Sequence, residues 1–193
     1  MTGNLYTLPE NVCIDGILYA VNTDFRIWIE TGNIISAREF NIFEKIEKIL
    51  KYCYREKLPP NLEKAMSGIM WFYRCGREES GGQDMGCNMP VIDFSEDSDM
   101  ICAAFYHDYK IDLWKEKLHW WQFKALLLSL NEENKIMKVM GYRAVNLGDI
   151  SGKEQKKFYR KMKSLYKLKD RRTPEEKEKD MLNKLDSIFK EVD

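Results

Sequence analysis

Few residues in this chain are of types that do chemistry, and their spacing does not gather them. Only His107 and His119 could act as bases near neutral pH. His119 stands between Leu118 and Trp120 in the densest apolar segment, where a packing or hydrogen-bonding histidine at a helix start is the expected role. Nucleophilic catalysis needs Ser or Cys beside a base that a third group orients. No GxSxG occurs. The five cysteines, Cys13, Cys53, Cys75, Cys87 and Cys102, are separated by 40, 22, 12 and 15 positions with no CxxC. A zinc site needs four closely grouped soft or imidazole ligands, so free thiols in a reducing compartment are expected instead. Asp97 with Asp99, and Asp108 with Asp112, could in principle share a proton or a metal. The first pair reads as helix-start acids and the second flanks a helix end. No catalytic, cofactor-binding or metal-binding residue is therefore assigned, and a non-enzymatic protein is expected.

The elements that hold these residues read as mainly helical. Val12-Cys13-Ile14 and Ile17 to Val21 flank Asp15-Gly16, which suits a tight two-residue β-hairpin turn. A lone hairpin is marginal in water, so this one must pack on helices or pair at its edge. Asn22-Thr23-Asp24 offers N-caps for a helical piece over Phe25 to Thr31, with Gly32-Asn33 as its interruption. Ser36 is read as a second cap, before a helix running through Tyr54. There Ile42, Phe43, Ile46, Ile49, Leu50 and Cys53 recur with a 3.6-residue period. Pro59-Pro60 stops that helix, and Asn61 to Arg74 carries the next, with Leu62, Ala65, Met66, Ile69, Met70 and Phe72-Tyr73 as one buried face.

Residues 78–98 hold Gly81-Gly82, Gly86 and Pro90 and read as an irregular loop, with proteolytic nicking expected near Arg77. No strand leads into this loop, and neither GxxxxGK[ST] nor GxGxxG is present, so it is not read as a phosphate cradle. A helix starting at Ser95 or Ser98 follows, and then a turn at Asp112-Leu113. A helix from Glu116 to Leu130, apolar nearly all round, should lie at the centre of a bundle. Asn131 to Gly141 forms a further short helix with Gly141 as its terminator. Lys153 to Leu168 and Pro174 to Val192 are charged helices with narrow apolar seams.

The fold class that results is mainly α: a compact helical bundle with a small N-terminal β-hairpin and a charged C-terminal helical extension. Its domains are a body over 1–150 and an extension over 151–193. No apolar run is long enough for a bilayer, and the first residues carry no basic, apolar leader, so no secretion signal is expected. Charge divides in the same way. Residues 151–193 hold 14 Lys+Arg against 9 Asp+Glu, while the whole chain has 31 of each. The extension is thus +5 and the body −5. Lys156, Lys157, Arg160, Lys161, Arg171 and Arg172, interleaved with Phe158, Tyr159 and Tyr166, form a candidate basic contact patch. Basic side chains displace counterions from phosphates and aromatics stack on bases, so nucleic acid is an alternative partner. A solvated helical face is the plainer reading.

Several ordered motifs resemble one family. They are Leu8-Pro9, Val12, Gly16, Tyr19 and Asn22 to Arg26; Asp93 to Ile101; Ala104-Phe105; Tyr109 to Leu113; Leu118 to Phe123; Leu126-Leu127, Leu130; and Tyr142-Arg143. Together they resemble the gene-product-fifteen family of phages and prophages of Gram-positive bacteria, over most of Met1 to Leu168. Phe105, Tyr109, Asp112, Leu113, His119, Trp120, Trp121 and Phe123 are the signature residues and are expected in the core. The chain departs from the family pattern in the Gly-rich stretch before Asp93 and in the helix after Arg172. The resemblance implies a tail-assembly chaperone-like protein. Its partners would be phage tail proteins: the tape measure, or else the tail tube or a second chaperone. It also implies action in the bacterial host cytoplasm and absence from the mature virion. A structural component of tail or head is a further alternative. No membrane association is expected.

Overall fold

In the computed structural model, residues 7–77 and 91–169 are described. They hold seven α-helices and one two-stranded antiparallel sheet. The chain divides into two compact units, Met1–Val145 and Asn146–Asp193.

The first unit opens with strands β1 (Asn11–Ile14) and β2 (Ile17–Ala20). Asp15 and Gly16 both have positive φ, 51° and 79°, which is the twist a two-residue hairpin requires. Val12 and Ile14 are buried, and β1 packs on helix α3 (Leu62–Tyr73). The other end of β2 is prolonged by the chain that leaves helix α2 (Ile42–Cys53): Arg55 N donates to Ala20 O and Asn22 N to Cys53 O. The hairpin therefore escapes its marginal stability by both routes open to it.

Helix α1 spans Phe25–Ser36 and is capped by Asp24, which accepts from Arg26 N. The sequence reading broke this helix at Gly32-Asn33, yet it runs through both. A Cβ built on Gly32 would lie 2.7 Å from the Tyr73 hydroxyl oxygen, so this glycine serves close helix packing and does not stop the helix. Ser36 is the last residue of α1, not a cap. The cap of α2 is Asn41, in a reciprocal capping box with Glu44. Asn61 caps α3 through Lys64 N, and Arg74 ends it as read. Pro60 lies just before that cap.

Helices α4 (Ser98–Tyr109), α5 (Trp120–Leu128) and α6 (Lys135–Ala144) complete the first unit. Both ends of each of the last two helices move from where they were expected. The central helix starts at Trp120, not Glu116, because residues 112–118 are a non-helical connection with a hydrogen-bonded turn from Asp112 to Glu116, and His119 is the cap. Gly141 lies inside α6 and does not end it. Asn131 to Asn134 instead make a turn fixed by Asp108, whose carboxylate accepts from Asn131 N and Asn134 Nδ2. One contiguous core joins the hairpin to α1–α6, with Trp28, Phe72, Phe105, Trp120 and Phe123 fully buried.

The second unit begins with a 3-10 turn, Leu147–Asp149, followed by helix α7, Lys153–Leu165. The helix expected over Pro174 to Val192, the 78–90 part of the irregular stretch, and Cys87 lie outside the described residues. No helix among the described residues is long and apolar enough to cross a membrane.

Candidate partner-binding surface

The signature residues come together where two segments about 95 positions apart meet. Phe25 N donates to Leu118 O and Trp120 N to Thr23 O, an antiparallel bridge that joins the start of α1 to the start of α5. Above it the Arg26 guanidinium bonds the Asp24 carboxylate and donates to Leu113 O at 2.7 Å and Glu116 O at 2.9 Å. Asp112 accepts from Trp114 N and pairs with Lys115 Nζ at 2.9 Å. That lysine contact, first among the causes, holds the Asp112 carboxyl below its usual range. A single arginine therefore fixes the 112–118 turn, and the turn sets the entry angle of α5.

The His119-Trp120-Trp121 triplet then closes the end of another helix. The last carbonyls of a helix have no partner within it. Trp121 Nε1 donates to Phe72 O and Trp120 Nε1 to Tyr73 O, each at 2.9 Å, so two indoles satisfy the C-terminus of α3. His119 Nδ1 accepts from Trp121 N, and Nε2 lies 2.9 Å from Pro9 O. The ring that caps α5 with one nitrogen must be neutral and carry its proton on Nε2 toward Pro9. Desolvation lowers its pKa, which favours that form. Below the triplet, Phe123 is stacked on Phe25, Phe105 and Trp120, with centroids 4.6, 5.2 and 6.0 Å away. Phe105, Leu113, Trp120, Trp121 and Phe123 are buried, while Tyr109, Asp112 and His119 are half-buried. Tyr109 donates to Leu126 O. One large apolar side chain of this turn faces solvent: Trp114 is 73% exposed.

Asp97 does something other than capping α4. Its side chain makes no cap bond. It pairs with Arg143, at 2.6 Å to Nη1 and 2.9 Å to Nη2, and accepts from Asp93 N. Asp97 is 1% exposed and Arg143 9%. Such a pair fixes α6 against the start of α4, and removing either partner would strand a buried charge.

None of these groups converges as a reacting centre. Burial pushes the Cys53 thiol up to about 11, so it is protonated at neutral pH. Cys13, Cys53, Cys75 and Cys102 are free, and among the described residues no three His, Cys, Asp or Glu side chains group to hold a metal.

Unsatisfied apolar surface lies elsewhere, between α2 and α3. An open groove of about 720 Å³ has Ile46, Leu62, Met66, Met70 and Trp71 along it. Glu63, Arg74 and Arg77 supply its charge. The apolar positions of α3 make two stripes. Ala65, Ile69 and Phe72 are buried, whereas Leu62, Met66 and Met70 line the groove. On α2 the expected stripe also divides: Ile49, Leu50 and Cys53 are buried, but Ile42 and Phe43 are 63% and 77% exposed. Methionine is flexible and polarizable, and grooves rich in it adapt to varied apolar partners.

The family described as Bacteriophage Gp15 protein matches the chain over residues 6–168. The chain belongs to that family. No curated protein matches, and no solved structure does either. The matched range includes both halves of the signature junction and the groove.

In this family member the basic patch falls on α7. Lys157, Arg160 and Lys161 are exposed and Lys156 is half-buried, while Arg171 and Arg172 lie outside the described residues. Helix α7 has no buried residue, and Phe158 and Leu165 of its seam are 48% and 65% exposed. The sequence reading missed the groove and the Asp97–Arg143 pair. A signal for the groove was present: α3 has more apolar positions than one buried stripe can use.

Proposed function

We propose that this phage protein is a tail-assembly chaperone-like factor, a non-enzymatic binder of the tape measure or another tail protein during tail morphogenesis. It would act in the host cytoplasm and leave before the virion is complete. The observation that carries the reading is the open α2–α3 groove lined by Leu62, Met66 and Met70, together with Ile42 and Phe43 exposed on α2. A tape-measure protein exposes apolar helical surface until the tail tube encloses it. An apolar groove shields such surface by helix-in-groove contact. The test is co-expression with the tape-measure protein of the same phage, followed by pull-down and by deletion of the gene from the phage. Capture of the partner and loss of normal tails support the proposal. No complex together with normal tails overturns it. Peptide mass spectrometry of purified particles separates a chaperone, which is absent, from a structural component, which is stoichiometric.

Exposed Lys157, Arg160 and Lys161 favour nucleic acid as a second reading. A salt-sensitive mobility shift that weakens on replacing Lys156, Lys157 and Arg160 would support it. No shift at low salt would leave α7 a solubilising or protein-docking helix.

A further inference from the structure

We infer that the α2–α3 groove takes its helical ligand in one direction, antiparallel to α3, with the ligand's acidic N-terminal end over Arg74 and Arg77 and its basic C-terminal end over Glu63. This rests on the helix-in-groove reading and adds the chemistry and orientation of the ligand.

The argument begins with where the charges sit along α3. Glu63 lies in its first turn, Arg74 is its C-cap, and Arg77 follows three residues later. All three line the groove, and its middle is the apolar stretch made by Met66, Met70 and Trp71. At 1.5 Å per residue, Glu63 and Arg74 are about 16 Å apart along the helix. That is about two Debye lengths at physiological salt, so each end selects charge on its own. The groove is therefore an apolar strip with an acid at one end and two guanidinium groups at the other.

Helices carry a matching asymmetry. Acids are favoured in the first turn and bases in the last, because the macrodipole is positive at the N-terminus and negative at the C-terminus. A ligand helix of that ordinary kind meets Arg74 and Arg77 with its acidic first turn only when it runs antiparallel to α3. Its dipole then opposes that of α3, so both electrostatic contributions favour the same direction. The ligand chemistry follows: an amphipathic helix of about 12 residues, apolar at i, i+3, i+4 and i+7, with Asp or Glu in the first turn and Lys or Arg in the last.

The probe is a synthetic helix of that pattern with a photo-crosslinker at its N-terminus, used with the full chain. Crosslinked peptides are mapped after proteolysis. The expected result is attachment near residues 70–77, in excess over 62–67 by an order of about ten, since each exposed ion pair shifts an equilibrium by up to about fivefold. In a chain carrying Glu63→Lys and Arg77→Glu, the preference should fall severalfold, because the lysine introduced at position 63 then attracts the acidic end while Arg74 and the glutamate introduced at position 77 offset each other. Arg74 is left in place there, and circular dichroism checks the fold. Attachment to both ends in equal yield, or a preference unmoved by the charge exchange, overturns the orientation while leaving the groove as the binding site. Crosslinks outside the groove, or none that an unlabelled copy of the peptide competes away, overturn the helix-in-groove reading and the orientation with it.

Discussion

The signature junction and the α2–α3 groove belong to the same unit and treat apolar side chains in opposite ways. In the junction, Phe123 is enclosed by stacked rings, and both tryptophan N–H groups reach backbone carbonyls. In the groove, Leu62, Met66 and Met70 line an open surface. The junction closes the fold and the groove stays open. Residues that identify a family are thus not by that fact its contact residues: a motif that closes a helix end, sets a turn and fills a core constrains sequence as strongly as a binding site does.

Substitutions should separate the two regions, beginning with the largest effect. Phe123→Ala leaves a cavity among three stacked rings and should cost about 3–5 kcal/mol in chemical denaturation. Arg143→Met strands the buried Asp97 carboxylate, and removing one partner of such a pair costs about 3–5 kcal/mol. If the Arg143 variant unfolds at the native denaturant midpoint, the pair does not fix α6 as described. Gly32→Ala should be destabilising although alanine is the better helix former, because its methyl meets the Tyr73 hydroxyl. Adding Tyr73→Phe should recover most of the loss, and no recovery would refute the packing explanation. Leu62→Glu with Met70→Glu in the groove should change stability least, by about 1 kcal/mol or less, as surface substitutions do.

Acid should affect the junction and not the groove. His119 has a lowered pKa, so the unfolded chain binds a proton that the folded ring does not. Its contribution to stability is fully present above the unfolded value of about 6.5 and is lost as pH falls below it toward the folded value. Denaturation midpoints for the native chain should therefore decline below about pH 6.5 more steeply than those of His119→Asn, whose side chain can still accept from Trp121 N.

Elements were legible in the sequence where one local rule decided them. Asp15-Gly16 gives the hairpin because both positions must take positive φ, and Asn61 starts α3 because its side chain reaches Lys64 N. Errors came where a distant contact overrode the local rule. Gly32 reads as a breaker until Tyr73 is seen against it, and Asp97 reads only as a helix-start acid until Arg143 claims its carboxylate. Glu116 to Lys117 reads as helix because nothing local shows Arg26 holding the Glu116 carbonyl from 90 positions away. The groove was half legible: the surplus apolar positions of α3 are visible, but which stripe faces the core is set by the packing of β1 and α2.

The most direct test pits the two regions against each other as binding sites for the same tail protein. Leu62→Glu/Met70→Glu removes the apolar groove, and Trp114→Ala removes the one large apolar side chain that the junction's 112–118 turn exposes. Each variant is co-expressed with the tape-measure protein of the same phage, and capture is measured beside the melting temperature. The account predicts that the groove variant loses capture with its melting temperature nearly unchanged, while Trp114→Ala captures as the native chain does. Full capture by the groove variant together with loss in Trp114→Ala would contradict it and move the binding surface to the signature junction.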